Sequence, residues 1–340
     1  MGLFSFTQEI AIDLGTANTI IICNDKIVVD EPSVVAMDRH SKKLLAIGEK
    51  ARQMHGKTPE DIRTIRPLRN GVIADFYAAE QMIRGMIKMI NSRPKLFPPS
   101  LKIVICMPSG STEVERRAIR DSSERAGGRD VYLIYEPMAA AIGMGLDVLA
   151  PEGNMVVDIG GGTTEIAIIS LGGIVSNKSI RIAGDDLTAD IMEYMGRQHN
   201  MKVGERTAEL IKINVGAASV NLPDPPDDYV VYGPNRMTAL PMEVPVSYQE
   251  VAHCLDKSIS KIETAVLSAL EQTPPELYAD IVRNGIYLAG GGALLKGLDK
   301  RLEDKINIPF HIAEDPLHAV AKGTGIALKN ISNYKFLFKE

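Results

Sequence analysis

Two short stretches hold most of the chemistry this chain can do. Asp13 to Thr19 reads DLGTANT, and Asp158 to Glu165 reads DIGGGTTE. Each follows an apolar run of strand character, opens on an aspartate and continues in small residues. An aspartate at a strand end followed by Gly and Thr suits a turn that holds phosphate and a metal. Asp13 and Asp158 are candidate Mg²⁺ ligands through its waters, because Mg²⁺ sheds water reluctantly. Either aspartate alone would read as a turn or capping residue; the repeat favours metal. Gly15, Thr16, Ala17 and Asn18 form a first candidate phosphate turn, and Gly160, Gly161, Gly162, Thr163 and Thr164 a second. Glycine lets backbone N–H groups approach phosphate oxygens with no Cβ in the way. A tight hairpin would also want glycines, but it leaves the recurrent threonine unexplained. Two such turns, one in each half of the chain, imply two similar lobes facing one nucleotide.

Glu136 is the candidate for the chemical step. It ends the run VYLIYE and precedes Pro137. A residue before proline is held extended, and proline suits a first helical turn, so the carboxylate leaves the strand end toward the cleft. There it can orient or deprotonate a water that attacks a γ-phosphate, with Thr163 as a second group on that water. The alternative is a strand-end glutamate in solvent. Gly290, Gly291 and Gly292 follow the run IYLA and precede a helix; glycines there also serve close packing. Glu209 and Lys212 lie three apart on one helical face, the spacing of an ordinary ion pair.

The elements that must position these groups follow from periodicity. Lobe one opens with strands over 9–14, 19–23 and 26–30, turned at Asn24-Asp25. Lobe two repeats this over 155–159, 165–170 and 174–182, turned at Gly172-Gly173. Dinucleotide and Walker sites run strand, glycine loop, helix; here each glycine turn joins strand to strand. Helices are expected over 76–91, 112–125, 138–146, 185–197, 206–215, 248–271, 293–305 and 316–331. Further strands are expected at 102–107, 131–135, 285–289 and 309–313. The class is α/β with mixed sheets. Residues 1–31, 67–145 and 316–340 are assigned to the core of lobe one, with 32–66 a small insert. Residues 146–182 and 246–315 are assigned to the core of lobe two, with 183–245 its insert. Gly323 and Gly325, inside a helical run, are expected to mark a hinge crossing near Gly143 and Gly145.

The 340 residues suffice for two domains, and a net charge of −5 argues against nucleic acid as a partner. Three isolated cysteines read as thiols in a reducing cytosol. Nothing approaches a spanning helix or a secretory leader. In Arg93-Pro-Lys-Leu-Phe-Pro-Pro, Leu96 and Phe97 stand at the tip of a stiff loop flanked by Arg93, Lys95 and Lys102. They either cap the core of lobe one or meet an anionic bilayer.

These motifs resemble the actin superfamily and, within it, the MreB family of bacterial actin homologues. The likeness runs through DEPSVVAM at 30, IRPLRNGVIADF at 65, ERRAIRDSSERAGGRDVYLIYEPMAAAIG at 115, GGGALLKGLDKRL at 290 and AEDPLHAVAKGTGIAL at 313. It implies an actin-like ATPase fold: two lobes on ribonuclease-H-like units, each with a smaller inserted subdomain, and ATP with Mg²⁺ in the cleft. It makes Glu136 the hydrolytic glutamate, puts adenine over Gly290–Gly292 and puts Glu209 and Lys212 at the ribose and base. It tips Leu96 and Phe97 toward the membrane. The implied protein is a slow ATPase coupled to polymerisation, forming paired protofilaments on the inner face of the cytoplasmic membrane. Its expected partners are membrane-anchored shape proteins and cell-wall synthesis enzymes, and its role is rod shape. The alternative is a sugar-kinase-type phosphotransferase.

Overall fold

A computed structural model describes residues 7–90, 100–334 and 338. Sheet one holds β1 (Thr7–Leu14), β2 (Asn18–Cys23), β3 (Lys26–Pro32), β4 (Ser100–Met107) and β5 (Gly128–Tyr135), in the order β5-β4-β1-β2-β3. Sheet two holds β6 (Asn154–Ile159), β7 (Thr164–Ser170), β8 (Gly173–Ile180), β9 (Ile286–Ala289) and β10 (Phe310–Ile312), in the order β8-β7-β6-β9-β10. In each, three strands meander antiparallel and two more add parallel to the first. Even a register irregularity recurs in the second strand, at Ile21/Ile22 and at Ile168/Ile169. The duplicated motif is therefore a duplicated unit, and Asp13 and Asp158 occupy equivalent strand ends.

Continuous apolar runs such as Ile20–Cys23 and Ile166–Ile169 are buried along their length, as strands covered on both faces must be. The covering is layered. Helices α1 (Phe76–Ile90) and α2 (Glu113–Arg125) are outside sheet one. Helices α4 (Gly184–Gln198), α5 (Glu205–Val215) and α6 (Tyr248–Glu271) belong to the core outside sheet two. Between the sheets, α3 (Glu136–Gly143) packs with α9 (Ala319–Lys329), in a core that takes Ala11 and Val104 from one sheet and Val156 and Ala167 from the other. Helix α9 also packs on β1, β2 and β4. Gly143 and Gly323 meet where α3 and α9 cross. Gly325 instead faces Ile22, and Gly145 makes a left-handed turn at φ 78°.

Several boundaries differ from expectation. The β7–β8 turn is Leu171-Gly172, both at positive φ, not Gly172-Gly173; Leu171 is exposed and tolerates the left-handed region there. The helix expected over 293–305 is a 3₁₀ turn, Gly291–Leu294, and then α8 (Leu298–Ile306), because Gly297 is left-handed between them. Pro275–Asn284, here α7, lies outside the expected helices; proline at its first helical position is a start signal. The 32–66 segment contains a three-stranded sheet, Leu44–Ile47, Val35–Asp38 and Ile62–Ile65, with a short helix Glu49–Met54. The 220–246 stretch contains the hairpin Tyr229–Pro234 and Pro241–Val246. No helix among the described residues is long and apolar enough to cross a membrane. Leu96 and Phe97 lie outside the described residues.

Candidate functional site

The two glycine turns touch. A Cβ on Gly161 would sit 2.8 Å from Ala17 Cβ, and one on Gly162 would sit 2.7 Å from Thr16 Oγ1 and 2.9 Å from Asn70 Cα. Thr16 Oγ1 accepts from Gly71 N at 3.0 Å. In the first turn, Ser33 Oγ donates to Gly15 O at 2.6 Å and Ser33 N to Ala17 O at 2.8 Å. In the second, Gly160 O and Gly161 O accept from Gly184 N and Asp185 N at the start of α4, at 3.1 and 2.7 Å. Both turns therefore have carbonyls tied back into the fold. Such bracing pre-organises a turn for an anion, since no reorganisation is left to do on binding.

Four carboxylates gather behind these turns. Cys106 Sγ donates to Asp13 Oδ1 at 3.1 Å. Asp158 is 4% exposed, and its Oδ1 is buried with no hydrogen-bond partner. Glu136 opens α3, half-buried, with Pro137 in the first turn. The fourth, Glu165, was not singled out from sequence. It is fully buried opposite Asp158 in the β6–β7 register. Ser109 N donates to its Oε2 at 2.9 Å, Ser109 Oγ donates to the same oxygen, and Ser179 Oγ donates to its Oε1 at 2.5 Å.

The remaining candidates surround this cluster. Gly290, at φ 79°, lies against Ile159 O and Asp158 Oδ1, where any Cβ would overlap both. Gly292 fits against the Ile159 side chain and Gly291 against Leu317. Lys212 Nζ and Glu209 Oε2 are 2.8 Å apart. Lys212 Nζ also donates to Gly184 O at 2.8 Å and Thr188 Oγ1 at 2.9 Å, which brings the pair to the back of the second turn. Thr163 is buried and approaches Gly71. Thus all candidates in the described chain are brought together. A bridge that sequence reading missed spans the halves: Arg66 donates to both Asp185 oxygens at 2.9 and 2.7 Å and to Glu205 Oε1 at 2.5 Å. Its three residues are far apart in sequence, and no local pattern links them.

A duplicated mixed-sheet unit with facing phosphate turns is a fold-level argument; comparison with known proteins makes it specific. The family model described as MreB/Mbl protein matches residues 7–336. This chain belongs to the MreB/Mbl family. Among its relatives, the cell shape-determining protein Mbl of Bacillus subtilis (strain 168) is 46% identical over 328 residues, 96% of this chain and 97% of the relative. The cell shape-determining protein MreB of Escherichia coli (strain K12) is 47% identical over 331 residues, 96% of this chain and 94% of the relative. MreB 5 of Spiroplasma citri bound to AMPPNP superposes with a TM-score of 0.90 at 38% identity, covering 97% of this chain and 98% of that one. The MamK double helical filament, 18% identical, superposes with a TM-score of 0.80 over 95% of this chain and 99% of that one, a likeness of fold. The fold is that of the actin-like ATPases.

Electrostatics test whether this MreB/Mbl site fits a cation. Burial, opposed in part by the Cys106 hydrogen bond, pushes Asp13 up to about 6. Burial and then the charges of Asp13 and Glu165 push Asp158 up to about 7. Burial and then Glu165, Asp158 and Asp13 push Glu136 well above the usual carboxylate range. Among the described residues no three or more His, Cys, Asp or Glu side chains converge as direct metal ligands. The orphaned Asp158 oxygen and the mutual repulsion fit a cation held at water distance by two carboxylates. A carboxyl whose folded pKa is raised favours folding below its unfolded value, and that contribution is lost as pH rises through the folded value. We therefore expect Asp158→Asn to stabilise the nucleotide-free protein at pH 8 by a few kcal/mol at most, with the gain shrinking as pH falls from 7 toward 4. Magnesium-ATP should raise the wild-type melting temperature and leave the variant's nearly unchanged. Thermal denaturation across pH reads both, and a variant melting below wild type at pH 8 counts against the assignment.

Proposed function

We propose that this chain binds ATP between its two lobes, hydrolyses it slowly and polymerises into membrane-associated filaments that organise cell-wall synthesis and maintain rod shape. The observation that supports this reading most is the meeting of equivalent turns at Ala17/Gly161 and Thr16/Gly162, with a carboxylate behind each. Relatives named as cell shape-determining proteins support the cellular role. A relative solved with AMPPNP and with ADP supports the nucleotide. The sugar-kinase alternative gains nothing from them.

In this reading the turn amides of Gly15–Asn18 and Gly160–Thr163 bind the phosphates. Asp13 and Asp158 would hold magnesium through its waters, and the ion would supply positive charge to the phosphates. Gly290–Gly292 let the base lie close to the backbone, and Lys212 with Glu209 faces the ribose. Glu136 accepts the proton of the attacking water, with Thr163 orienting that water. Closing the lobes excludes bulk water and strengthens every charge interaction inside. The filament is a homopolymer of paired protofilaments at the inner membrane face, with shape proteins and wall synthases as partners.

Leu96 and Phe97 carry the membrane contact. Burying two such side chains yields about 3–6 kcal/mol before ordering costs, too little to hold one subunit. Many copies in a filament make attachment firm through avidity. Sedimentation with ATP and anionic liposomes tests this. Wild type should pellet with lipid, whereas Leu96→Ala/Phe97→Ala should still assemble but stay out of the lipid fraction. Failure of wild type to form ATP-dependent pellets overturns the filament reading; lipid binding retained by the double variant overturns the role of Leu96 and Phe97.

A further inference from the structure

Glu165 stands outside the mechanism above, yet it is the most deeply buried carboxylate of the cluster. Burying a carboxylate is costly unless donors replace its water. Here neutral donors do so, and they come from both halves. Ser179 lies on β8 of sheet two, whereas Ser109 lies in the turn that leaves β4 of sheet one. Ser109 meets the carboxylate with both its backbone N–H and its hydroxyl. The approach is tight beside it, because a Cβ on Gly110 would sit 2.9 Å from Ser179 Cβ.

The anchored turn is mechanically connected to Glu136. Ser109 is two residues beyond Met107, the last residue of β4. Met107 pairs with Tyr135, the last residue of β5, and Glu136 follows directly. Fixing Ser109 to sheet two therefore fixes the strand end that presents Glu136. The fixed point on sheet two is equally close to the phosphate turn: Glu165 follows Thr164 and pairs across from Asp158. One carboxylate thus sits between the turn that would hold the γ-phosphate and the strand end that carries the base.

We propose that Glu165 is a positioning residue for hydrolysis, a buried carboxylate that clamps the Ser109 turn of lobe one onto lobe two and so sets Glu136 at its working distance from the phosphate turn. The inference rests on the proposed ATPase reading and adds to it a closure sensor. When the lobes separate, Ser109 leaves, the carboxylate loses two of its three donors and Glu136 moves off the phosphate turn. Of the charges that raise Glu136, that of Glu165 acts more strongly than those of Asp158 and Asp13.

The test measures phosphate release and nucleotide affinity separately, on the full chain with magnesium-ATP. Glu165→Gln keeps the shape but turns one oxygen into a donor facing a serine. We expect kcat to fall by about tenfold to a hundredfold, the range that a misplacement of about 1 Å produces, with ATP Kd within about threefold of wild type. Ser109→Ala should lower kcat in the same sense. The double variant should be no slower than Glu165→Gln alone, because the two residues act as one unit. Ser109→Thr, which keeps the hydroxyl, should restore most of the rate. Losses that multiply in the double variant, or a Kd that weakens in step with kcat, overturn the proposal. If Glu165→Gln does not fold, Ser109→Ala decides alone: a wild-type rate overturns the clamp. A wild type that releases no phosphate refutes the ATPase reading instead, and a slow Glu136→Gln beside an unimpaired Glu165→Gln refutes the clamp only.

Discussion

Glu136→Gln should bind ATP at least as tightly as wild type and release phosphate about a hundredfold more slowly or worse, since a positioned general base contributes about 10²–10⁴-fold. The substitution is isosteric and removes only the basic oxygen. The phosphate turns, Lys212 and the Gly290 segment do not depend on it for any hydrogen bond. Affinity should if anything improve, because Glu136 is one of four carboxylates in a cleft that must accept a triphosphate, and its charge lies close to those of Asp13 and Asp158. The pH dependence gives a second signature. A base held well above the usual carboxylate range is protonated at low pH, so wild-type phosphate release should climb with pH. The residual rate of the glutamine variant should be flat over the same range. Filaments of the variant should persist longer after ATP addition, if hydrolysis ages the polymer. Unchanged phosphate release in a variant that still binds ATP would remove Glu136 from the reaction.

The parts of this site that are legible in the sequence are those whose signal is local. The aspartates at 13 and 158 and the glycines beside them share one short pattern, repeated, and the repeat implies that the surrounding strands repeat too. Glu136 is legible as the acidic residue where a strand run gives way to a proline-led helix, but its conformation differs from expectation: the strand ends at Tyr135, and Glu136 is the first helical residue of α3 rather than an extended one. Glu165 belongs to the same stretch as Asp158 but hides for a physical reason. On a strand buried on both faces there is no alternation, so nothing in the pattern says that a glutamate points inward rather than ending the turn. Its partner Ser109 is 56 residues away, and only the approach of the two lobes brings them together. Arg66 with Asp185 and Glu205 is hidden in the same way, by sequence separations of 119 and 139 residues. The errors of element placement have another origin. The helix that begins at Pro275 has no counterpart among the expected elements, and the helix expected over 293–305 is interrupted at Gly297. The outcome is decided by whether proline sits at a first turn and glycine at positive φ, which is backbone geometry that composition alone does not encode.

The second large effect should come from a residue with no polar chemistry at all. Gly323→Ala is expected to lower thermal stability by about 2–4 kcal/mol, although alanine is the better helix former by about 1 kcal/mol. Gly323 is buried in the middle of α9, and an added Cβ would overlap the carbonyl of Ala139 and lie 2.7 Å from Gly143 N on α3. Both obstacles are backbone atoms of another helix, so no side-chain rotation relieves the clash. The helices cannot separate either, because sheet one packs on one side of the pair and sheet two on the other. Gly325→Ala supplies the control two residues along the same helix. The nearest atoms to its Cβ would all belong to the Ile22 side chain, Cγ2 at 3.3 Å and Cδ1 at 3.5 Å, with no backbone in the way, so the change should stay within about 1 kcal/mol of wild type. The contrast separates backbone contact from helix propensity, and thermal unfolding of the two variants measures it. A loss of similar size at both positions would mean that the crossing is not the cause. The consequence reaches the cleft, because α3 begins at Glu136. Any alanine variant at 323 that folds by pushing α3 aside must carry the base with it, so phosphate release should fall further than nucleotide affinity.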